Sequence, residues 1–203
     1  MEIKICGLTK PEEAKYLEDN HVDYAGMVLF YPKSKRNIDI NKAREIMAAL
    51  NPDIKKVAVV VSPDPTQIMS LCLAGFDLIQ VHGQLSDQAY ELCSLPIWKA
   101  FNVKDLDSLE SYRAKDKITG FVFDSATPGS GKAYDLSLLK DIDIEEDKLF
   151  ILAGGLNSDN VGQAIRDVLP DIVDVSSGVE YSDRLGKNPE KISAFVNAVR
   201  SAT

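Results

Sequence analysis

Eight short apolar runs recur along the chain, each followed by a stretch with helical spacing. The runs are Ile3–Cys6, Tyr24–Phe30, Lys56–Val61, Leu78–Val81, Ile97–Phe101, Gly120–Phe123, Leu149–Ala153 and Ile172–Val175. They are dense in Val, Ile, Leu and Phe and lack the polar alternation of a strand with one wet face. That pattern predicts strands buried on both faces, as in a parallel sheet. Helix-start signals punctuate the stretches between them. Thr9 precedes Lys10-Pro11-Glu12-Glu13, and Asp64-Pro65 precedes Ile68 and Leu71. Ser86-Asp87 precedes Ala89 and Leu92, while Asn157-Ser158-Asp159 precedes Val161, Ala164 and Ile165. Each places a capping side chain just before a helical run, with proline or acid at its start.

Eight strand–helix alternations in 203 residues leave about 25 residues per unit, enough for an α/β fold closed into a single (β/α)8 barrel over residues 1–203. The competing architecture is an open doubly wound sheet. It usually has five or six strands and, for a dinucleotide, GxGxxG after the first. Here the first run leads into Cys6-Gly7-Leu8-Thr9, without that fingerprint.

Composition narrows the function classes. Lys and Arg total 23 against 31 Asp and Glu, a formal net charge of −8. Such a chain has no electrostatic footprint for nucleic acid, and no basic stretch points to a membrane surface. No apolar run reaches the ~18 residues of a spanning helix, and the opening MEIKICGLT is not a signal peptide. The three cysteines, Cys6, Cys72 and Cys93, are too few and scattered for a disulfide framework. There is no CxxC pair, and His21 and His82 do not make a metal cluster. The expectation is a cytoplasmic monomer or homodimer whose ligand is a small molecule.

A barrel of this kind carries its active site at the carboxyl ends of its strands. Those ends bring Cys6, the loop Tyr31–Arg36, His82, Asp124, the pair Gly154-Gly155, and Ser176-Ser177-Gly178. The last two turns follow consecutive strands and hold only small residues, so backbone N–H groups can approach an anion closely. After the seventh and eighth strands this is the usual phosphate position. Gly129-Ser130-Gly131-Lys132 resembles a fragment of a phosphate loop without the full GxxxxGK[ST] spacing. It is expected to close over the substrate with Lys132 near its charge. Cys6 and Asp124 end the first and sixth strands, where a thiol and a carboxylate can do acid–base work. Cys72 and Cys93 fit ordinary burial in helices. Arg36 lies with Lys33 and Lys35 in a cationic loop that, in so acidic a chain, suggests an anionic ligand. His82 is expected to line the pocket.

These segments together resemble the phosphoribosylanthranilate isomerase family. The resemblance rests on Lys4-Ile5-Cys6-Gly7-Leu8-Thr9, Gln80-Val81-His82-Gly83, Phe123-Asp124-Ser125 with its Gly129–Lys132 loop, Leu152–Asn160, and Asp174–Glu180. The matches run in order from residue 3 to about 180. The resemblance implies a phosphorylated small-molecule substrate and an Amadori rearrangement in tryptophan biosynthesis, without metal or organic cofactor. It implies Cys6 as general base and Asp124 as general acid. Arg36 would hold the anthranilate carboxylate, and the turns at 154–155 and 176–178 the phosphate. A base at Cys6 calls for a lowered thiol pKa, and an acid at Asp124 for a raised carboxyl pKa. Two stretches depart from the family's usual form: Lys33–Arg36 has no proline before the arginine, and Tyr181–Asn188 differs from the commoner short Lys-Asp form.

Overall fold

The computed structural model describes residues 1–102, 106–124, 139, 142 and 144–203. The Gly129–Lys132 segment lies outside them. Eight strands form the barrel: β1 (Glu2–Cys6), β2 (Tyr24–Leu29), β3 (Lys55–Val61), β4 (Leu78–His82), β5 (Ile97–Asn102), β6 (Ile118–Asp124), β7 (Leu149–Leu152) and β8 (Ile172–Val175). Each pairs in parallel with the next. β8 pairs back onto β1, with Glu2 opposite Ile172 and Ile5 opposite Val175, and this ladder closes the barrel. Asn37 and Ile38 add a two-residue parallel pairing beside Val28 and Leu29, anchoring the loop that carries Arg36.

Why the runs look continuously apolar is visible in the packing. Successive strand residues point to opposite faces, and both faces are buried. Ile3, Ile5, Met27, Val60, Ile79, Phe121, Leu152 and Val173 pack outward against helices. Cys6, Val28, Val57, Trp98, Val122, Ile151 and Ile172 form a second cluster inside the barrel. Trp98 belongs to this inner cluster, and its ring lies 4.9 Å from that of Tyr24.

The outer layer among the described residues comprises α1 (Glu13–Asp19), α2 (Ile40–Ala49), α3 (Pro65–Cys72), α4 (Asp87–Leu92), α5 (Glu110–Arg113), α6 (Val161–Val168) and α7 (Pro189–Arg200). Two expected caps are present. Asp64 accepts from Gln67 N in a full capping box, and Ser86 accepts from Ala89 N. Two are corrected. Thr9 does not cap α1; the helix starts later, and the Glu13 carboxylate turns back to accept from Thr9 N at 2.7 Å and Lys10 N at 3.1 Å. Asn157 does not cap α6. Its Oδ1 accepts from Asp159 N and Asn160 N, closing a separate turn before Val161. Both exceptions follow strands whose loops build the mouth, where turn geometry takes precedence over a regular helix start.

Candidate active site

Strand parity assembles the site. Lys4 and Cys6, Gln80 and His82, and Asp174 and Ser176 are spaced by two, so each pair faces the barrel interior. The upper members reach a cavity of about 470 Å³ at the carboxyl ends of the strands. Cys6, Arg36, His82, Asp124, Gly154, Gly155, Ser176 and Ser177 all line it, as do Gln80 and Asp174. Gly178 does not. A Cβ there would sit 2.1 Å from the Leu156 carbonyl oxygen, so glycine lets the turn after β8 pack onto the turn after β7.

Those two turns make one wall. Gly154 and Gly155 have φ of 87° and 61°, a left-handed conformation that side-chain-bearing residues avoid. Among the described residues their N–H groups meet no acceptor. The Ser176 hydroxyl is engaged elsewhere. It donates to the Cys6 carbonyl at 2.9 Å and lies 3.4 Å from Lys187 Nζ, tying β8 to β1.

Arg36 comes into the cavity from the loop after β2, on the far side of β1 from β8. Its loop is folded by Asn37, whose Oδ1 accepts from Tyr31 N, and by Ser34, whose Oγ accepts from Arg36 N. The guanidinium is held by Glu180: Nε donates to Oε1, and Nη2 to Oε2 at 3.0 Å. Lys35 and Lys187 join the same carboxylate at 3.0 and 3.1 Å. Burial works to raise the Glu180 pKa, but Arg36, Lys187 and Lys35 outweigh it and hold it down at about 2. Lys187, itself buried, has its pKa lowered by burial despite Glu180.

At the opposite end of the charge scale, His82 is neutral near pH 7. Burial, with the Lys4 and Lys99 ammonium groups, lowers its pKa to about 4. Its Nε2 lies 2.9 Å from Gln80 Nε2. An amide donating there assigns the ring proton to Nδ1.

Cys6 departs from the sequence expectation. Burial pushes its thiol above the ordinary value. Lys4 and Lys187 pull downward and Asp174 adds to the rise, so the resting sulfur carries its proton. Asp124 ends β6 opposite Asn102 of β5, with β7 and β8 between it and β1 around the barrel. Beneath the mouth lies a layer that sequence reasoning passed over. Lys4 is fully buried and donates to Asp174 Oδ2 at 2.7 Å. The period-two spacing from Cys6 and Ser176 was the available signal. Glu180 and Lys187, which fall in loops without a period, offered no such spacing.

Comparison with known proteins bears on the fold and the family. Residues 3–198 match the family model of N-(5′-phosphoribosyl)anthranilate isomerase. The enzyme of that name from Clostridium kluyveri is 37% identical over 204 residues, covering 99% of this chain and 98% of its own. The crystal structure of phosphoribosyl anthranilate isomerase from Thermotoga maritima superimposes with a TM-score of 0.84 at 33% identity, over 99% of both chains. A further crystal structure of such an isomerase, in complex with reduced 1-(o-carboxyphenylamino)-1-deoxyribulose 5-phosphate, gives 0.82 at 30% identity, again over 99% of both. The chain belongs to the N-(5′-phosphoribosyl)anthranilate isomerase family.

Proposed function

We propose that this barrel converts N-(5′-phosphoribosyl)anthranilate to 1-(2-carboxyphenylamino)-1-deoxyribulose 5-phosphate in tryptophan biosynthesis, with Cys6 as base and Asp124 as acid. The carrying observation is that a thiol, a carboxyl, a guanidinium and a glycine-lined turn converge on one cavity. The phosphate sits against the N–H groups of Gly154 and Gly155 and the turn at Ser176 and Ser177, which Gly178 packs against its neighbour. Arg36 meets the anthranilate carboxylate. Two of its five donors are taken by Glu180, which leaves its remaining edge for the ligand. His82, neutral, lines the ribose side.

Chemistry starts at the furanose oxygen, which must gain a proton for the ring to open; Asp124 supplies it. The C1–O bond breaks and the anilinic nitrogen forms a Schiff base to C1. That cation acidifies the C2 proton, which Cys6 removes as a thiolate after its own thiol proton has passed to solvent. The resulting enolamine tautomerises to the ketone. No step needs an oxidant or a second substrate. A cytoplasmic location and a monomeric or dimeric state belong to the same reading; sedimentation of the purified protein distinguishes the two states. Among the described residues, no helix is long and apolar enough to cross a membrane.

Loss of substrate fluorescence on adding the protein tests the activity. Cys6→Ala and Asp124→Asn are each expected to lower kcat by about 100-fold or more. Turnover near the parent level in either variant removes that residue from its role.

A further inference from the structure

Below Cys6 the barrel buries an ion pair that acid–base chemistry at Cys6 and Asp124 does not itself require. Lys4 of β1 is fully buried, Asp174 of β8 is 6% exposed, and they meet at 2.7 Å. Taking two such charges out of water costs several kcal/mol each, and apolar side chains of similar volume often do as well. Two further observations tie the pair to the cavity. The Lys4 ammonium also faces the Cys6 sulfur, and its positive charge favours the thiolate. A Cβ at Gly26 of β2 would lie 2.9 Å from Cys6 Sγ and 3.2 Å from Lys4 Nζ, so this glycine leaves the space both groups share. Asp174 Oδ1, meanwhile, is buried without a hydrogen-bond partner, in a residue that lines the cavity.

We propose that Lys4 is a positioning residue for the isomerisation: clamped by Asp174, its ammonium orients the Cys6 sulfur and stabilises the thiolate that accepts the C2 proton. The inference rests on Cys6 being the base. In the step it assists, the C2–H bond breaks and its electron pair becomes the C1=C2 bond. The C1=N pair moves to nitrogen, and the proton ends on sulfur. Thiolate and iminium are both discharged, and Lys4 keeps its own proton throughout.

The charged groups facing Cys6 come from three elements. Lys4 lies on its own strand, Asp174 on β8, and Lys187 just before α7. His82 of β4 faces Lys4 and is neutral near pH 7. Lys4 favours the thiolate and Asp174 opposes it. Removing each must therefore move Cys6 in opposite directions, which a general loosening of the barrel would not do.

The test is the rate of iodoacetamide alkylation at Cys6 as a function of pH, read peptide by peptide by mass spectrometry. Wild type, Lys4→Met and Asp174→Asn are compared. The Cys6 midpoint is expected to rise in Lys4→Met and fall in Asp174→Asn, while Cys72 and Cys93 report whether the fold is intact. At neutral pH, kcat of Lys4→Met is expected to fall by about tenfold or more, with part of the loss recovered at higher pH. Should Lys4→Met misfold, exposing Cys93, the near-isosteric Asp174→Asn decides alone. A midpoint that stays put, or moves the same way in both variants, overturns the proposal. Normal turnover by Cys6→Ala would instead sink the base assignment and leave the midpoints untouched, so the two failures are distinguishable.

Discussion

At the scale of single residues, the mouth is held by compensated charge, and Glu180 is its centre. This carboxylate is 5% exposed and takes Arg36, Lys35 and Lys187 together. Replacing it by glutamine keeps the shape but strands Lys187, which has almost no contact with solvent. Breaking a buried pair from one side costs about 3–5 kcal/mol. Glu180→Gln is therefore expected to lower unfolding free energy on that scale and to raise KM, because Arg36 loses its clamp. Urea denaturation and steady-state kinetics read the two effects, and unchanged stability would show that the pair is dispensable. Arg36→Ala is expected to act differently. Its guanidinium would meet a carboxylate remote from the reacting carbons, so KM rises with little change in kcat. A drop confined to kcat would place Arg36 in the chemistry instead.

At the scale of elements, α6 carries an avoidable strain. Its C-terminal cap is Leu169, at φ 53° and ψ 52° with 78% of its surface exposed. A left-handed leucine costs roughly 1–2 kcal/mol, and glycine is the usual residue there. Leu169→Gly is expected to raise stability by about 1 kcal/mol, seen as a higher Tm; a lower Tm would mean that residual packing of the leucine outweighs the strain. Elements were largely legible in the chain because their signals are local. The apolar runs mark all eight strands, and Asp64 and Ser86 cap the helices they precede. Thr9 and Asn157 carry the same type of signal but serve turns at the mouth. A capping residue announces a chain reversal, and only tertiary context decides whether a helix follows immediately.

At the scale of the molecule, closure turns eight sequence-local patterns into one interior. Cys6, Asp124 and the glycine turns were legible because they fall at strand ends, which the barrel gathers at one face. Lys4, Gln80 and Asp174 stand in the family-like segments, but their place in the site was not legible, since in runs dense with apolar residues one polar position looks incidental until the strands close around it. Closure also fixes how the protein responds to acid. With His82 buried among cations, its folded pKa is about 4, against roughly 6.5 in an unfolded chain. Between those values the unfolded chain binds a proton that the folded barrel refuses. The stability contributed by a neutral His82 is thus complete above about pH 6.5 and is lost as pH falls toward 4, on the order of 3 kcal/mol in all. Glu180 follows the same sign in a lower window, since its depressed pKa contributes stability that is lost only as pH falls from the ordinary carboxylate range toward 2. Urea denaturation at pH 7.5, 5.5 and 4.5 separates the two groups. Wild type should weaken steadily across that series, and His82→Gln should flatten the decline above pH 4.5. A variant with an undiminished slope would mean that the acid sensitivity of the barrel arises at its carboxylates and not at this histidine.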